Sequence, residues 1–74
     1  MNEGTLFAVV CYWEDDEYDN EINFVGYEKL FRQKGDALRY SHSCNKYYEY
    51  SIFNVEPISY EVAKAGNILN LLED

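Results

Sequence analysis

Carboxylates are the most numerous ionisable side chains of this 74-residue chain. The stretch from Trp13 to Glu21 holds six of the fourteen acidic residues and no basic one. It lies between two runs that predict β-strands, so we expect it to form the tip of a hairpin. Carboxylates accept hydrogen bonds from Lys and Arg as phosphate oxygens do. The stretch therefore indicates a surface that binds basic groups.

A calcium loop is the first alternative for this stretch, because its acidic residues alternate from Asp15 onward. Such a loop needs glycine at its sixth position and glutamate at its twelfth. Those two positions are occupied here by Asn20 and Gly26. The pattern therefore predicts weak, nonspecific cation binding rather than a calcium site.

His42, Cys44 and Cys11 are the remaining candidates for metal binding or nucleophilic chemistry. Structural zinc usually takes four ligands at more regular spacing. A Cys–His nucleophile pair also fails, because residues two apart on a helix do not face each other. The chain has no phosphate-binding glycine loop and no nucleophile elbow. We therefore predict a protein that is not an enzyme and that uses neither a metal nor a cofactor.

Length and cysteine content indicate a single domain over residues 1–74. A chain of this size buries only roughly 60% of its unfolded surface, so a partner subunit is a common source of stability. We expect a homodimer. Two cysteines form at most one bridge, and no apolar run approaches the ~20 residues of a membrane span. The N-terminus has no basic segment before its apolar run, so we expect a cytoplasmic protein with both thiols reduced.

The charge is distributed unevenly along the chain. Residues 1–28 contain eight acidic residues and no basic one, whereas residues 29–48 contain five basic residues and one acidic residue. The net charge of −8 disfavours direct binding to nucleic acid or to an anionic membrane and favours basic protein partners. Disorder is excluded by the 18% aromatic and 47% hydrophobic content.

Two strands are predicted on either side of the acidic stretch. Residues 5–13 form a β-branched and aromatic run that is apolar on both faces, which is typical of a central strand. Both faces would be covered by the fold, or one would be covered and the other docked to a partner. Residues 22–27 predict the second strand, which could extend to Phe31. Gly26 within it indicates a bulge or a close backbone approach.

The second half of the chain predicts a helix over 33–43, a strand over 47–55 and a final helix. An earlier helix over 27–34, ended by Gly35, is the alternative for the first of these. Pro57 is predicted to end the third strand. Ser59 is a plausible N-cap for the last helix. The apolar stripe of that helix would comprise Val62, Ala65, Ile68 or Leu69, and Leu72.

These elements predict an α+β fold with the order β-β-α-β-α. We predict a three-stranded sheet with the order 2-1-3. This order places the first strand in the centre and makes both strand pairs antiparallel. We expect both helices on one face of the sheet. The other face would then expose tyrosines, forming an apolar patch of the kind that marks an interface.

The pattern resembles small acidic host-takeover proteins of bacteriophages. The similarity covers roughly residues 5–57 and is carried by the strand, acidic loop and strand, then by Leu30-Phe31-x-x-Lys34-x-Asp36-Ala37-Leu38-x-Tyr40 and Tyr47-Tyr48-x-Tyr50-x-Ile52-x-x-Val55. Proteins of this kind include DNA mimics that block the nucleoid protein HU, restriction enzymes, uracil-DNA glycosylase or CRISPR effectors. The resemblance implies a host inhibitor in the bacterial cytoplasm, without assigning any residue a role.

The expected function is that of an acidic DNA mimic that occupies the DNA-binding surface of a basic host protein such as HU. The residues predicted to bind the partner are Trp13, Glu14, Asp15, Asp16, Glu17, Tyr18, Asp19, Glu21, Glu28, Glu49 and Glu56. The alternative is a module that inhibits a host enzyme (RNA polymerase, a nuclease or a CRISPR effector) through an exposed tyrosine-rich sheet face. Solubility alone is the simplest explanation of the acidic residues, because small domains commonly carry a net charge of magnitude ~2–8.

Overall fold

The computed structural model describes residues 4–15 and 21–73, and it describes their side chains except at positions 14, 15 and 21. The middle of the predicted acidic tip, including Asp16, Glu17, Tyr18 and Asp19, lies outside the described residues. The elements, in chain order, are β1 (Thr5–Asp15), β2 (Glu21–Phe31), α1 (Lys34–Tyr47), β3 (Ser51–Ser59), α2 (Tyr60–Ala65), a 3₁₀ turn (Leu69–Leu71) and β4 (Leu72–Glu73).

The strands form one sheet with the order β3-β1-β2-β4. The α+β class and the central position of β1 are confirmed, since β1 pairs antiparallel with both β2 and β3. The three-stranded antiparallel description is wrong in one respect. The two-residue strand β4 pairs parallel with the end of β2, through Leu30 and Phe31, so the sheet is mixed and has four strands.

The helices lie on opposite faces of the sheet, so the prediction that both cover one face is wrong. Successive residues of a strand point to opposite faces. Val9 packs with Ala37 and Cys44 of α1, whereas Leu6 packs in a second cluster with Ala63 of α2. The apolar character of both faces of β1 is explained by this two-sided cover.

The β1–β2 hairpin is long and slightly irregular. β2 extends to Phe31, which confirms the longer strand and excludes the alternative helix over 27–34. Its register with β1 shifts between Cys11 and Tyr12, so that Val25 is an extra residue on β2 beside Gly26. This is the bulge that the glycine indicated. A second shift occurs between Val9 and Val10.

β3 runs through Pro57 and ends at Ser59, so the prediction that Pro57 ends the strand is wrong. Pro57 pairs with Phe7 of β1, and β3 is an outer strand of the sheet. Proline is tolerated on an outer strand because its missing N–H can lie on the unpaired side. α1 begins at Lys34 and extends to Tyr47, which the prediction had placed in the third strand.

α2 begins where the sequence predicts, because the Ser59 hydroxyl accepts a hydrogen bond from the Val62 backbone N–H at 3.1 Å. The helix is short and is followed at once by Gly66. The first half of the predicted apolar stripe is wrong, since Val62 is 59% exposed, Ala65 is exposed and Ala63 is buried instead. Its second half is confirmed as packed surface, because Ile68, Leu69 and Leu72 lie against the core, although beyond the end of the helix. In the described ranges, no helix is long and apolar enough to cross a membrane.

Candidate protein-binding site at the end of the hairpin

Acidic residues meet at the end of the β1–β2 hairpin. In the strand register Asp15 lies opposite Glu21, and Glu14 lies opposite Ile22. The backbone register therefore brings acidic positions of both strands together at one end of the sheet.

An exposed aromatic patch lies on the sheet face next to these acidic positions. Phe24 stacks edge-on against Tyr12, with ring centroids 6.0 Å apart, and against Tyr27, with centroids 5.5 Å apart. Phe24 is 57% exposed and Tyr27 is 40% exposed. Ile22, which is also exposed, precedes them on β2. We call Tyr12, Ile22, Phe24 and Tyr27 the hairpin patch.

The hairpin patch is exposed because the cover on its face ends early. α2, the 3₁₀ turn and β4 pack over Leu6, Ala8 and Val10, and Tyr12 lies at the margin of that cluster. α2 has only six residues, so the half of the hairpin that contains the tip extends past it. Contiguous exposed apolar surface of this kind marks interaction sites in monomeric proteins.

Tyr12 is held in place by Glu56 of the neighbouring strand β3. The Tyr12 hydroxyl donates a hydrogen bond to the Glu56 carboxylate. This hydrogen bond and desolvation raise the pKa of Tyr12 above its ordinary value. The interaction fixes the ring at the edge of the hairpin patch and occupies one of the carboxylates predicted to bind the partner.

The other predicted binding residues do not form one surface. Glu28 is exposed on β2 and accepts a 3.4 Å hydrogen bond from the Tyr40 hydroxyl of α1, on the face opposite Glu56. Glu49 lies in the exposed turn that precedes β3, and not on a strand as predicted. Trp13 is 47% exposed and pairs with Asn23 and Ser51, one position from Tyr12 and hence on the opposite face. Among residues 4–15 and 21–73, acidic positions on neighbouring strands come together at the end of the hairpin.

The predicted tyrosine-rich sheet face has a different composition in the structure. Tyr47 ends α1, and Tyr48 and Tyr50 belong to the segment between α1 and β3. All three are exposed, but none lies in a strand. The exposed sheet face is built instead by the hairpin patch. Its Phe24 and Ile22 were recognisable as strand residues in the sequence, but their exposure depends on how little α2 covers.

Basic residues lie mainly on α1 and around the end of β2 that is distant from the hairpin tip. Lys29 pairs with Glu73 of β4 at 2.6 Å, and Arg39 pairs with Asp36 one turn away on α1. Some of the basic charge is therefore neutralised within the chain, whereas residues 13–28 contain no basic residue.

The two cysteines lie in the hydrophobic core cluster between α1 and the sheet. Cys44 is on the buried side of α1 and Cys11 packs against the same cluster; both are free thiols. Burial raises the pKa of Cys44, which disfavours the reactive thiolate. Burial also raises the pKa of Tyr40 to about 12, with the Cys44 thiolate and Glu28 adding to the effect. Among residues 4–15 and 21–73, no group of three or more His, Cys, Asp or Glu residues is placed to hold a metal ion.

No protein-family model, curated protein or solved structure matches this chain. Function must therefore be inferred from the geometry and charge of the hairpin end, which combines opposed acidic positions with an exposed aromatic surface.

Proposed function

We propose that this protein is a non-enzymatic inhibitor that acts as an acidic DNA mimic and occupies the DNA-binding surface of a basic protein. The observation that carries the proposal is the joint position of the acidic hairpin end and the hairpin patch. Charge attracts a basic groove, and the aromatic rings provide contact area within it.

The geometry of paired strands supports phosphate mimicry. Paired strands hold their residues at fixed spacings, with adjacent strands about 4.8 Å apart. Glu14 and Asp15 are consecutive on β1, and Glu21 stands across the ladder from Asp15. Acidic positions therefore lie on both strands at the end of the hairpin, where several carboxylates can meet a basic groove.

The hairpin patch supports a protein partner rather than solubility as the reason for the acidic residues. Solubility would be served by charged and polar side chains alone. Phe24 and Ile22 instead expose 57% and 61% of their surface beside the acids. Aromatic rings next to carboxylates suit Arg and Lys, whose alkyl stems pack on the rings and whose charges are attracted to the ring faces.

The resemblance to small acidic phage proteins directs the proposal to a host protein in the bacterial cytoplasm. A nucleoid protein such as HU is a candidate of this kind, because proteins that bind the DNA backbone do so through basic surfaces. The protein is proposed to act as a homodimer.

A second candidate function is favoured by the exposed apolar residues. In this reading the hairpin patch binds a host enzyme such as RNA polymerase, a nuclease or a CRISPR effector, and the acidic residues contribute little. Exposed apolar surface at Ile22, Phe24 and Tyr27 is the observation in its favour.

Capture of partners from a bacterial lysate, followed by competition with duplex DNA, tests the proposal. A mimic should retain basic DNA-binding proteins at low salt and release them either to DNA or at about 0.5 M salt, where the screening length falls to about 4 Å. Partners that resist both salt and DNA would instead indicate the hairpin patch. Retention of DNA itself would contradict the proposal.

A further inference from the structure

The outer edge of β2 is open over most of its length. β4 pairs only with Leu30 and Phe31, at the end of β2 away from the hairpin tip. In the described part of the chain, no strand pairs with that edge between Glu21 and Lys29. An unpaired edge presents backbone N–H and C=O groups that can pair with a strand of another chain.

The opposite edge of the sheet is formed by β3 and is protected against pairing with another strand. β2 is therefore the edge that is available to a second chain. On β3 the Asn45 side chain hydrogen-bonds both the N–H and the C=O of Phe53, occupying the edge there. Pro57 further along β3 has no N–H to offer. Proline and covering side chains are ways in which proteins block edge pairing. Residues 21–29 contain no proline.

The open edge of β2 is also apolar. Ile22, Phe24 and Val25 are 61%, 57% and 62% exposed. A long edge strand with exposed apolar side chains is a site where another strand adds to the sheet. The register shifts leave Val25 and Glu28 as extra residues in the ladder with β1, and regular strand segments remain between and before them.

We propose that β2 pairs antiparallel with β2 of a second copy of this chain, so that the two sheets become continuous across a two-fold axis. The charge of the strand selects this occupant. β2 begins at Glu21, next to the acidic stretch, and carries Lys29 toward its other end, where Lys29 also pairs with Glu73 of its own chain. Antiparallel pairing over residues 21–29 places Glu21 of each copy beside Lys29 of the other, whereas parallel in-register pairing would place each of these residues beside its own counterpart.

The overlap is long enough for a specific contact. Nine residues, from Glu21 to Lys29, span about 30 Å at 3.4 Å per residue. A two-fold interface uses the same edge on both copies, so the apolar side chains of β2 gain neighbours from the counterpart strand on the same face of the joined sheet. The pairing does not depend on DNA mimicry, and the hairpin ends remain at opposite ends of the dimer.

Sedimentation velocity of the full chain at about 10–100 µM tests the pairing against a matched pair of variants. The wild-type chain should sediment as a species of about twice 8.7 kDa. Val25→Lys places a charge on the open edge and should weaken association at least about tenfold, since edge lysines oppose strand pairing. Val62→Lys is the control: Val62 is 59% exposed on α2, away from β2, and association should be unchanged.

Amide hydrogen exchange locates the interface. Residues 22–28 of the wild-type protein should exchange more slowly at high protein concentration than at low concentration, and V25K should abolish that difference. Circular dichroism confirms that both variants fold. A monomer at 100 µM, equal association of V25K and wild type, or concentration-dependent protection of β3 in place of β2 would each overturn the proposal.

Discussion

Asn45 of α1 and Phe53 of β3 are joined by two hydrogen bonds that imitate a strand pair. The Asn45 side-chain amide donates to the Phe53 carbonyl at 3.0 Å, and the Phe53 N–H donates to the Asn45 side-chain oxygen at 2.8 Å. Phe53 lies opposite Cys11 in the ladder with β1. The asparagine therefore satisfies the side of Phe53 that faces away from β1, and it ties α1 to the outer strand.

Replacing Asn45 by alanine should destabilise the fold by about 1–3 kcal/mol, since two hydrogen bonds of about 0.5–1.5 kcal/mol each are lost. Urea denaturation monitored by circular dichroism measures the change. Asn54→Ala is the matched control, because Asn54 is exposed on the same strand and should lose much less. Equal destabilisation by the two substitutions would show that the Asn45 bonds are not stabilising.

Local patterns in the sequence were sufficient to predict the central strand and the cap of α2. Residues 5–13 are apolar on both faces, a pattern that is typical of a central strand whose two faces are covered by the fold or by the fold and a partner. Ser59 precedes a helical segment, and its hydroxyl caps α2 as expected. These features depend on neighbours in the chain, so they are readable without the fold.

Features that depend on distant parts of the chain were not predictable in the same way. The connection through α1 already covers the face of β1 that contains Val9, so the segment after β3 packs on the other face, around Leu6. β4 has only two residues, too few to recognise, and its place is set by pairing with Leu30 and Phe31. Pro57 lies within β3 rather than at its end, because β3 is an outer strand of the sheet and tolerates proline.

The candidate site was predictable in its charge but not in its shape. The acidic stretch is visible in the sequence, and the structure places Asp15 and Glu21 opposite each other at its base. The exposure of Phe24 follows from the shortness of α2, which ends at Ala65. Nothing near Phe24 in the sequence indicates that ending, so the hairpin patch emerged only from the fold.

Tyr40 should make stability fall at high pH. Its pKa is raised to about 12 in the folded protein, against an ordinary value of 10.0, so above pH 10 the unfolded chain releases a proton that the folded chain retains. Stability is therefore complete below pH 10 and declines as the pH rises toward 12. Urea denaturation between about pH 8 and 11 should show this decline, and Tyr40→Phe should make it shallower.

Tyr50→Phe is the control for this measurement, because Tyr50 is 69% exposed in the turn before β3. It should leave the dependence of stability on pH as in the wild-type protein. If Tyr40→Phe and Tyr50→Phe behave identically, burial of Tyr40 does not contribute to the decline.

The two cysteines should differ in reactivity. Cys44 is buried and its pKa is raised, whereas Cys11 is half-buried. Because the thiolate is the reactive form, a disulfide reagent such as Ellman's should modify Cys11 well before Cys44 under native conditions. Urea should make both react rapidly. Cys11→Ser, which leaves Cys44 as the sole thiol, should remove the faster phase. This account would be contradicted by faster modification of Cys44 than of Cys11, by a fold that requires an oxidant, or by stoichiometric zinc in the purified protein.

Charge at the hairpin end provides the decisive test of DNA mimicry. Exposed ion pairs contribute about 0.2–1 kcal/mol each, so a single substitution should have little effect. Replacing five acids together by their amides should cost about 1–5 kcal/mol, which is about five- to several-thousand-fold in affinity. The replaced residues are Glu14, Asp15, Asp16, Glu17 and Asp19.

A matched pair of variants separates local charge from net charge. The triple variant E14Q/D15N/E17Q and the control E61K/N70K each make the net charge less negative by three, but the control acts on α2 and the 3₁₀ turn. Affinity for the captured partner, or for purified HU, is measured by surface plasmon resonance at several salt concentrations. The triple variant should lose association rate most at low salt, because exposed charges steer encounter and are screened over about 8 Å at physiological ionic strength.

The stability of these variants should be preserved, since substitution of Asp15 relieves its opposition to Glu21 in the ladder. Denaturation that matches or exceeds the wild-type midpoint would show that lost binding is not lost folding. If the triple variant and the control weaken binding equally, net charge rather than the hairpin end is responsible. If the variant with all five acidic residues replaced binds with unchanged affinity and salt dependence, these residues do not mimic DNA phosphates. Binding would then be assigned to Phe24 and its neighbours in the hairpin patch.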